Sequence, residues 1–382
     1  MPRPSRISTA RCPRWRSATT ACSSAARATP GMASTRSTAP RASCARSSSL
    51  WSTGSRRWPS SSAGQRACGR AEEKSMADRN KIIKTLADAA TMVLPKEART
   101  RARKRIRARL LLNRSRQGDV IVVSRPKSGR TWLRAMVSLL YARRYGLAEN
   151  ELLEFDNFHR ANPAIPTYSF IHGQGLDEIL DAEPSPAWMG GKKLVFLVRN
   201  PLDVAVSEYF QSTRRASAVK REMHGVDEDI SMFDFVMESP QGLRATVPFM
   251  NDWLRRVEAL GIDAIMLRYE DLRADPQAGL KQLTEFLGAE FTDEEIAAAV
   301  AGTEFEVLKE KERTNFYNNA RLSARDPSDP DSFKVRRAKV GGYHDYFEPQ
   351  EIAAMEAYVA ARLSPVFGYR EPPPATESGT QA

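Results

Sequence analysis

No cysteine follows Cys68, and Cys12, Cys22, Cys44 and Cys68 show no paired metal-ligand spacing. A disulfide framework is therefore not what holds the greater part of this chain together, and a cysteine-based zinc site has no ligands there. Histidine is scarce as well: His159, His172, His224 and His344 are too scattered to suggest a metal cluster. No apolar run approaches the roughly 18 residues of a membrane span, so the folded part reads as a cytoplasmic protein. Acidic residues are almost missing from the first 75 positions. Thirteen arginines and one lysine stand there against Glu72 and Glu73 alone, which accounts for the whole formal charge of +12. The remainder is balanced, so the basic pI does not imply a nucleic-acid partner.

Residues 1–75 also lack any helical or alternating apolar period and any signal-peptide h-region, and are rich in Ser, Ala, Arg, Thr and Pro. They are expected to form a disordered extension. The abrupt change of composition at Met76 suggests a native start there. Residues 76–117 read as a basic helical lead-in: Ile82 to Leu94 fits an amphipathic helix, and Pro95 separates it from the Arg99 to Arg109 cluster. That cluster has two readings, a solvated face or a peripheral contact with anionic lipid or a polyanion. Residues 118–370 read as one folded domain and 371–382 as a disordered tail.

The most informative stretch is Arg125-Pro126-Lys127-Ser128-Gly129-Arg130-Thr131-Trp132, behind the apolar run Val120 to Ser124. Strand, loop and helix in that order make a phosphate cradle: Gly129 permits a tight turn, the helix start offers unpaired N–H groups, and Lys127, Ser128, Arg130 and Thr131 add charge and hydroxyls. A basic surface turn is the plainer alternative. The loop lacks the upstream glycine and the Gly-Lys-Ser/Thr end of the nucleoside-triphosphate pattern, which points to another phosphate ligand.

Apolar runs at Asp119 to Ser124, Lys193 to Val198 and Asp263 to Tyr269 each precede a helix-like period, which predicts a parallel α/β sheet. Helices are predicted near Thr131–Arg144, Pro201–Arg215, Met250–Leu260, Pro276–Leu287, Asp293–Val300 and Pro349–Leu363, with the three prolines in first turns. Ligands of open parallel sheets bind beyond the strands' carboxyl ends, where the loops at Arg125 and Arg199 both fall. Arg313 to Ala338 is polar and turn-rich and reads as a lid that orders on binding.

In Leu197-Val198-Arg199-Asn200-Pro201-Leu202-Asp203-Val204-Ala205-Val206-Ser207, a strand delivers an arginine and a helix brings a serine to the same side. With Pro126 to Trp132 this run resembles the two cofactor signatures of the sulfotransferases that use 3′-phosphoadenosine 5′-phosphosulfate (PAPS). Arg268-Tyr269-Glu270-Asp271-Leu272, Gly302-Thr303-Glu304-Phe305 and Arg336-Arg337-Ala338-Lys339-Val340-Gly341-Gly342-Tyr343 are similar, in the right order, to three further elements of that family. The resemblance implies a P-loop-NTPase-like three-layer α/β fold with a central parallel sheet flanked by helices. It implies that Lys127, Ser128, Gly129, Arg130 and Thr131 hold the 5′-phosphosulfate, that Arg199, Ser207, Arg336, Arg337 and Ala338 hold the 3′-phosphate, and that Trp132 and Phe305 sandwich adenine beside Thr303 and Tyr269. Read alone, Trp132, Tyr269 and Phe305 would be core residues. Arg337 replaces the family's lysine and keeps its charge. Ala338 replaces glycine, which requires a negative φ. Gly342, Tyr343 and His344 replace Asp-Trp-Lys, so packing there should differ.

The implied chemistry is in-line transfer of a sulfuryl group from PAPS to a hydroxyl or amine acceptor, without a metal, leaving adenosine 3′,5′-bisphosphate. Lys127 would stabilise the leaving phosphate, and His172, in Ser169-Phe170-Ile171-His172-Gly173, would be the base, with Asp156, His159 and Glu208 as substitutes. Phe170 stands where many relatives have a second lysine, which suggests an apolar acceptor entrance. A silent nucleotide-binding module that recognises a membrane or polyanion, and a P-loop kinase, are the competing readings. The acceptor-forming loops, roughly Glu149 to Pro186, Ala216 to Pro248 and Arg313 to Lys334, do not name the acceptor, and the oligomeric state is not legible. N-terminal mass spectrometry of the native protein is expected to find Met76 first, and abundant peptides from upstream would refute that start.

Overall fold

The computed structural model describes residues 76–172, 189–216, 226–227, 229–324, 333–335 and 337–369, all within one compact unit. The expectations for residues 1–75, for Arg336 and for the tail 371–382 fall outside the described residues.

Four parallel strands, β1 (Val120–Ser124), β2 (Tyr168–Ile171), β3 (Lys193–Val198) and β4 (Ala264–Arg268), lie in the order β2-β1-β3-β4. Val123 sits opposite Ile171 and Phe196, and Val198 opposite Arg268, so the strands finish along one edge. The helices in chain order are α1 (Met76–Ala90), α2 (Lys96–Gln117), α3 (Arg130–Tyr145), α4 (Asn157–Ala161), α5 (Pro201–Phe210), α6 (Met232–Glu238), α7 (Leu243–Leu260), α8 (Tyr269–Ala274), α9 (Pro276–Leu287), α10 (Asp293–Ala301), α11 (Phe305–Arg313) and α12 (Pro349–Arg362). A π-helical turn, Gln211–Arg215, continues α5.

Alternate strand residues feed two cores. Ile121, Val123, Phe196 and Val198 face side chains from α5, α6, α7 and α12, whereas Val122, Val195, Leu197 and Ile265 face α3, α9 and α10. A strand buried on both faces must be apolar throughout, which is why β1 and β3 read as continuous Val/Ile/Leu runs. Trp253 of α7 and Phe196 are fully buried. Each such side chain contributes about 1.5–3 kcal/mol relative to exposure.

Pro201, Pro276 and Pro349 all occupy helix first turns, and Asn200 and Asp275 cap α5 and α9 by accepting the N–H of Leu202 and Ala278. The helix expected at Met250–Leu260 is the second half of α7, which starts at Leu243 and runs through Pro248. The strand expected to reach Tyr269 stops at Arg268, and Tyr269 opens α8. The amphipathic helix expected to reach Leu94 stops at Ala90, where Thr91 turns its hydroxyl back to the carbonyl of Ala87. Arg103 of α2 donates to Thr91 and to the Asp88 carbonyl, and the Asp88 carboxylate pairs with Arg103 at 3.0 Å and Arg107 at 3.5 Å. Part of the basic run therefore fastens α1 to α2. No helix among the described residues is long and apolar enough to cross a membrane.

Within the stretch read as a lid, the described parts are packed onto the body. Tyr317 and Leu322 are buried with Leu308 of α11 and Ala135 of α3. The buried carboxylate of Glu312 accepts the N–H groups of Lys334 and Val335. Residues 325–332 fall outside the described set.

Gly242, ahead of α7, has no room for a side chain: a Cβ there would lie 2.4 Å from the carbonyl oxygens of Phe235 and Val236. Gly242→Ala is expected to cost about 2 kcal/mol of stability, read as a lower urea midpoint at unchanged m-value.

Candidate active site

From β1 the chain crosses to β2 on one side and later to β3 and β4 on the other, so the loops leaving the carboxyl ends of the parallel neighbours β1 and β3 diverge and open a crevice. In the β1 loop Lys127 (φ 71°) and Gly129 (φ 87°) both take the left-handed conformation. That coils the backbone so that α3 begins at Arg130 with its free N–H groups toward the crevice. Glycine is needed at 129 for a second reason, since a Cβ would lie 2.5 Å from the Tyr269 ring.

A cavity of about 460 Å³ fills the crevice. Lys127, Gly129, Arg130, Thr131 and Trp132 line it from the β1 side, Arg199 and Ser207 from the β3 side, Tyr269, Thr303 and Phe305 from β4 onward, and Arg337 and Ala338 from the far end of the chain. His172, which directly follows β2, lines it too. Two of the residues proposed from sequence depart from this. Ser128 is buried and does not line the cavity, so only its backbone is available to a ligand there, and Arg336 lies outside the described residues.

Trp132 donates its indole N–H to the Thr303 carbonyl at 3.1 Å and meets Tyr269 edge-on, at 6.0 Å between ring centroids. Phe305 lines the same cavity, and the Lys309 ammonium lies 5.6 Å from its ring centroid. The Thr303 hydroxyl lies 3.0 Å from the Ala299 carbonyl and 3.1 Å from that of Val300, so its proton is engaged within the chain. Lys127 reaches the Gln211 amide oxygen at 3.2 Å.

Arg199 joins the loops. Its guanidinium donates to the Lys127 carbonyl at 3.2 Å and the Lys339 carbonyl at 3.1 Å, lies 4.3 Å from the Tyr269 ring centroid, and pairs with Asp203 at 3.4 Å. Its Nε is buried without a hydrogen-bond partner. Asp203 in turn accepts the N–H groups of Gly341 and Tyr343. Sequence reasoning passed over Asp203, which stands in the first turn of α5 while Arg199 lies just before the helix. Glu270 was also missed as a positioning group: it accepts the N–H of Asn200 at 2.9 Å and the hydroxyl of Tyr369.

The Ala338 expectation needs correction. Its φ is +50°, the left-handed region that the glycine of the resembled motif would occupy without strain. The turn keeps that shape because Asp203 pins the backbone just beyond it. Tyr343 is fully buried and donates its hydroxyl to Glu356 at 2.7 Å, so packing under this turn is built around a phenol.

Burial, and after it the Arg321 cation, pulls the Arg130 guanidinium down to about 10. His172 is open to the solvent of the cavity but crowded by its walls, and burial ahead of the Arg130 cation pushes its imidazole down to about 4. Glu208 lines the cavity with a buried, unpartnered Oε2, and burial raises its carboxyl against the opposing pull of Lys127 and Arg125. The other two substitutes for the base, Asp156 and His159, do not line the cavity, and His159 Nδ1 is 2.7 Å from the Ile165 carbonyl oxygen. Phe170 lines the cavity, and the Arg134 guanidinium lies 3.8 Å from its ring centroid.

A cationic, aromatic-walled cavity on a strand-turn-helix loop, at the switch point of a parallel sheet, suits a phosphate-bearing ligand. The sulfotransferase-domain profile matches residues 117–366. Cytosolic sulfotransferase 17 of Arabidopsis thaliana is 27% identical over 276 residues, which cover 65% of this chain and 75% of that protein. The flavonol 3-sulfotransferase of Flaveria bidentis is 24% identical over 270 residues, covering 64% and 81%. Among solved structures, retinol dehydratase in a complex with retinol and PAP aligns at 18% identity over 66% of this chain and 86% of its own, with a TM-score of 0.47. This chain belongs to the sulfotransferase family and is an enzyme of sulfuryl transfer.

The two left-handed positions predict opposite outcomes. Gly129→Ala is expected to lower stability by at least about 2 kcal/mol through both φ and the Tyr269 overlap, whereas Ala338→Gly should raise it by about 1 kcal/mol. Urea denaturation of both variants reads the signs.

Proposed function

We propose that the donor is PAPS, with its 5′-phosphosulfate on Lys127, Arg130, Thr131 and the loop N–H groups, and its 3′-phosphate at Arg199, Ser207 and the Arg337–Ala338 turn. Arg336 belongs to this second group on the motif alone. Adenine would lie between Trp132 and Phe305, beside Tyr269 and Thr303. The observation that carries this reading is the single cavity with guanidinium or ammonium groups at two separated places and aromatic rings in its wall. The buried unpartnered Arg199 Nε supports it, since a bound phosphate oxygen would supply the missing acceptor.

In the transfer step the acceptor hydroxyl or amine displaces the phosphate oxygen at sulfur in line. The His172 imidazole takes the acceptor proton, and the Lys127 ammonium hydrogen-bonds the phosphate oxygen on which charge develops. Because cations and burial hold His172 near 4, it is neutral at physiological pH and free to accept a proton. The negative donor offsets the Arg130 and Arg125 fields, so its arrival strengthens the base. The P-loop kinase reading gains no support from a loop that lacks the Gly-Lys-Ser/Thr end. Peripheral membrane contact through Arg99 to Arg109 is supported by the exposed Ile82, Ile83 and Leu86 of α1, although Asp88 already engages Arg103 and Arg107.

Transfer of labelled sulfate from PAPS across an acceptor panel tests the assignment. Lys127→Ala is expected to lower kcat about a hundredfold. The acid limb of kcat/KM for PAPS, which reports the free enzyme, should fall near pH 4, that of kcat at higher pH, and both should vanish in His172→Gln. Limbs that survive in His172→Gln would move the base to Glu208. Tight binding of adenosine 3′,5′-bisphosphate without turnover on any acceptor would favour the silent module.

A further inference from the structure

Beyond the groups assigned to the donor, the His172 end of the cavity holds more positive charge than the protein neutralises. Arg114 of α2, Arg134 of α3 and Arg321 line it, in addition to Arg130. Glu154 answers two of them, pairing with Arg134 at 3.3 Å and with Arg321. Arg134 also donates to the Leu153 carbonyl. Arg114 has no such answer: its guanidinium lies 5.0 Å from the centroid of the Phe155 ring, its Nε is buried without a hydrogen-bond partner, and no carboxylate among the described residues pairs with it. The charges of Glu154 and Asp156 reach it only from a distance, against the repulsion of Arg321, and burial pulls its pKa down. Arg130 keeps one contact, to the Ile171 carbonyl at 3.3 Å.

A desolvated guanidinium is costly unless an anion meets it, and its planar fork suits the oxygens of a carboxylate, sulfate or phosphate. Arg114 rises from the helix packed behind edge strand β2, through the buried contact of Ser115 with Ser169, three residues before His172. It is thus on the acceptor's side of the base. Building on the placement of the donor given above, we propose that the sulfate acceptor is a hydroxyl compound that also carries an acidic group, bound by Arg114 with Arg134 and Arg321 beside it. The hydroxyl then lies toward His172 and Lys127 while the acid is held behind it. A neutral acceptor would leave the half-buried Arg114 guanidinium shielded from water without an anion, so discrimination follows from the cost of the empty site.

The test is calorimetry with two probes of one shape, para-hydroxyphenylacetate and para-hydroxyphenylacetamide, titrated into the full chain loaded with adenosine 3′,5′-bisphosphate. The acid should bind at least about tenfold tighter than the amide, a gap that one charge-assisted hydrogen bond supplies. The gap should shrink with added salt, close in Arg114→Gln and partly survive in Arg114→Lys. Equal affinities for the two probes, no binding of either, or a gap unchanged by salt would overturn the inference, and the salt series needs no variant to fold. Loading itself reports on the donor. If adenosine 3′,5′-bisphosphate fails to bind, the donor assignment falls and takes this inference with it, whereas binding without an acid–amide gap overturns the acceptor class alone.

Discussion

The largely buried ion pair between Arg199 and Asp203 is the interaction on which the shape of the cavity depends. Taking two charges out of water is expensive, and such a pair is worth having only when the remaining donors and acceptors are also satisfied. Here the guanidinium spans to the backbone of the β1 loop at Lys127 and to Lys339, while the carboxylate holds the N–H groups of Gly341 and Tyr343. Segments far apart in sequence are thereby set at fixed distances around one crevice. Side-chain charges without that frame would be mobile, and a transferase needs them placed before charge develops.

Two non-glycine residues, Lys127 and Ala338, hold left-handed backbone on either side of Arg199. Strain of that kind persists only where surroundings over-determine the conformation, and the hydrogen bonds centred on this ion pair provide the constraint. The local cost falls where backbone must approach a ligand closely. Lys127 takes on that conformation and in return points its ammonium into the crevice beside Gln211.

Much of the architecture was legible because the strongest physical signals are local. Strands buried on two faces must be apolar along their whole length, so β1 and β3 were plain, and the prolines at 201, 276 and 349 marked helix starts. Short elements were not legible. Tyr168 to Ile171 alternates over only four residues, and α6 and α11 draw their stability from neighbours rather than from their own period. The cavity-lining residues of the β1 loop were readable because a phosphate loop requires particular residue types at particular spacings. Asp203 was not, since an aspartate inside an apolar helix shows its role only when the turn at Gly341 is seen beside it. Arg114 was hidden for a different reason. Within a helix carrying so many arginines, the sequence offers no way to tell the one guanidinium turned inward from those in solvent.

Helix α2 has a consequence for where this enzyme begins. The span shared with other sulfotransferases starts at residue 117, yet Leu112 belongs to the apolar core, Ser115 is bonded to the edge strand, and Arg114 stands in the cavity wall. A fragment cut at the family boundary would retain the β1 and β3 loops and lose both the cover of that sheet edge and one side of the cavity. The wall of the cavity in this chain is thus built partly by a segment that lies outside the shared domain, so domain-based comparison alone would leave that wall unread.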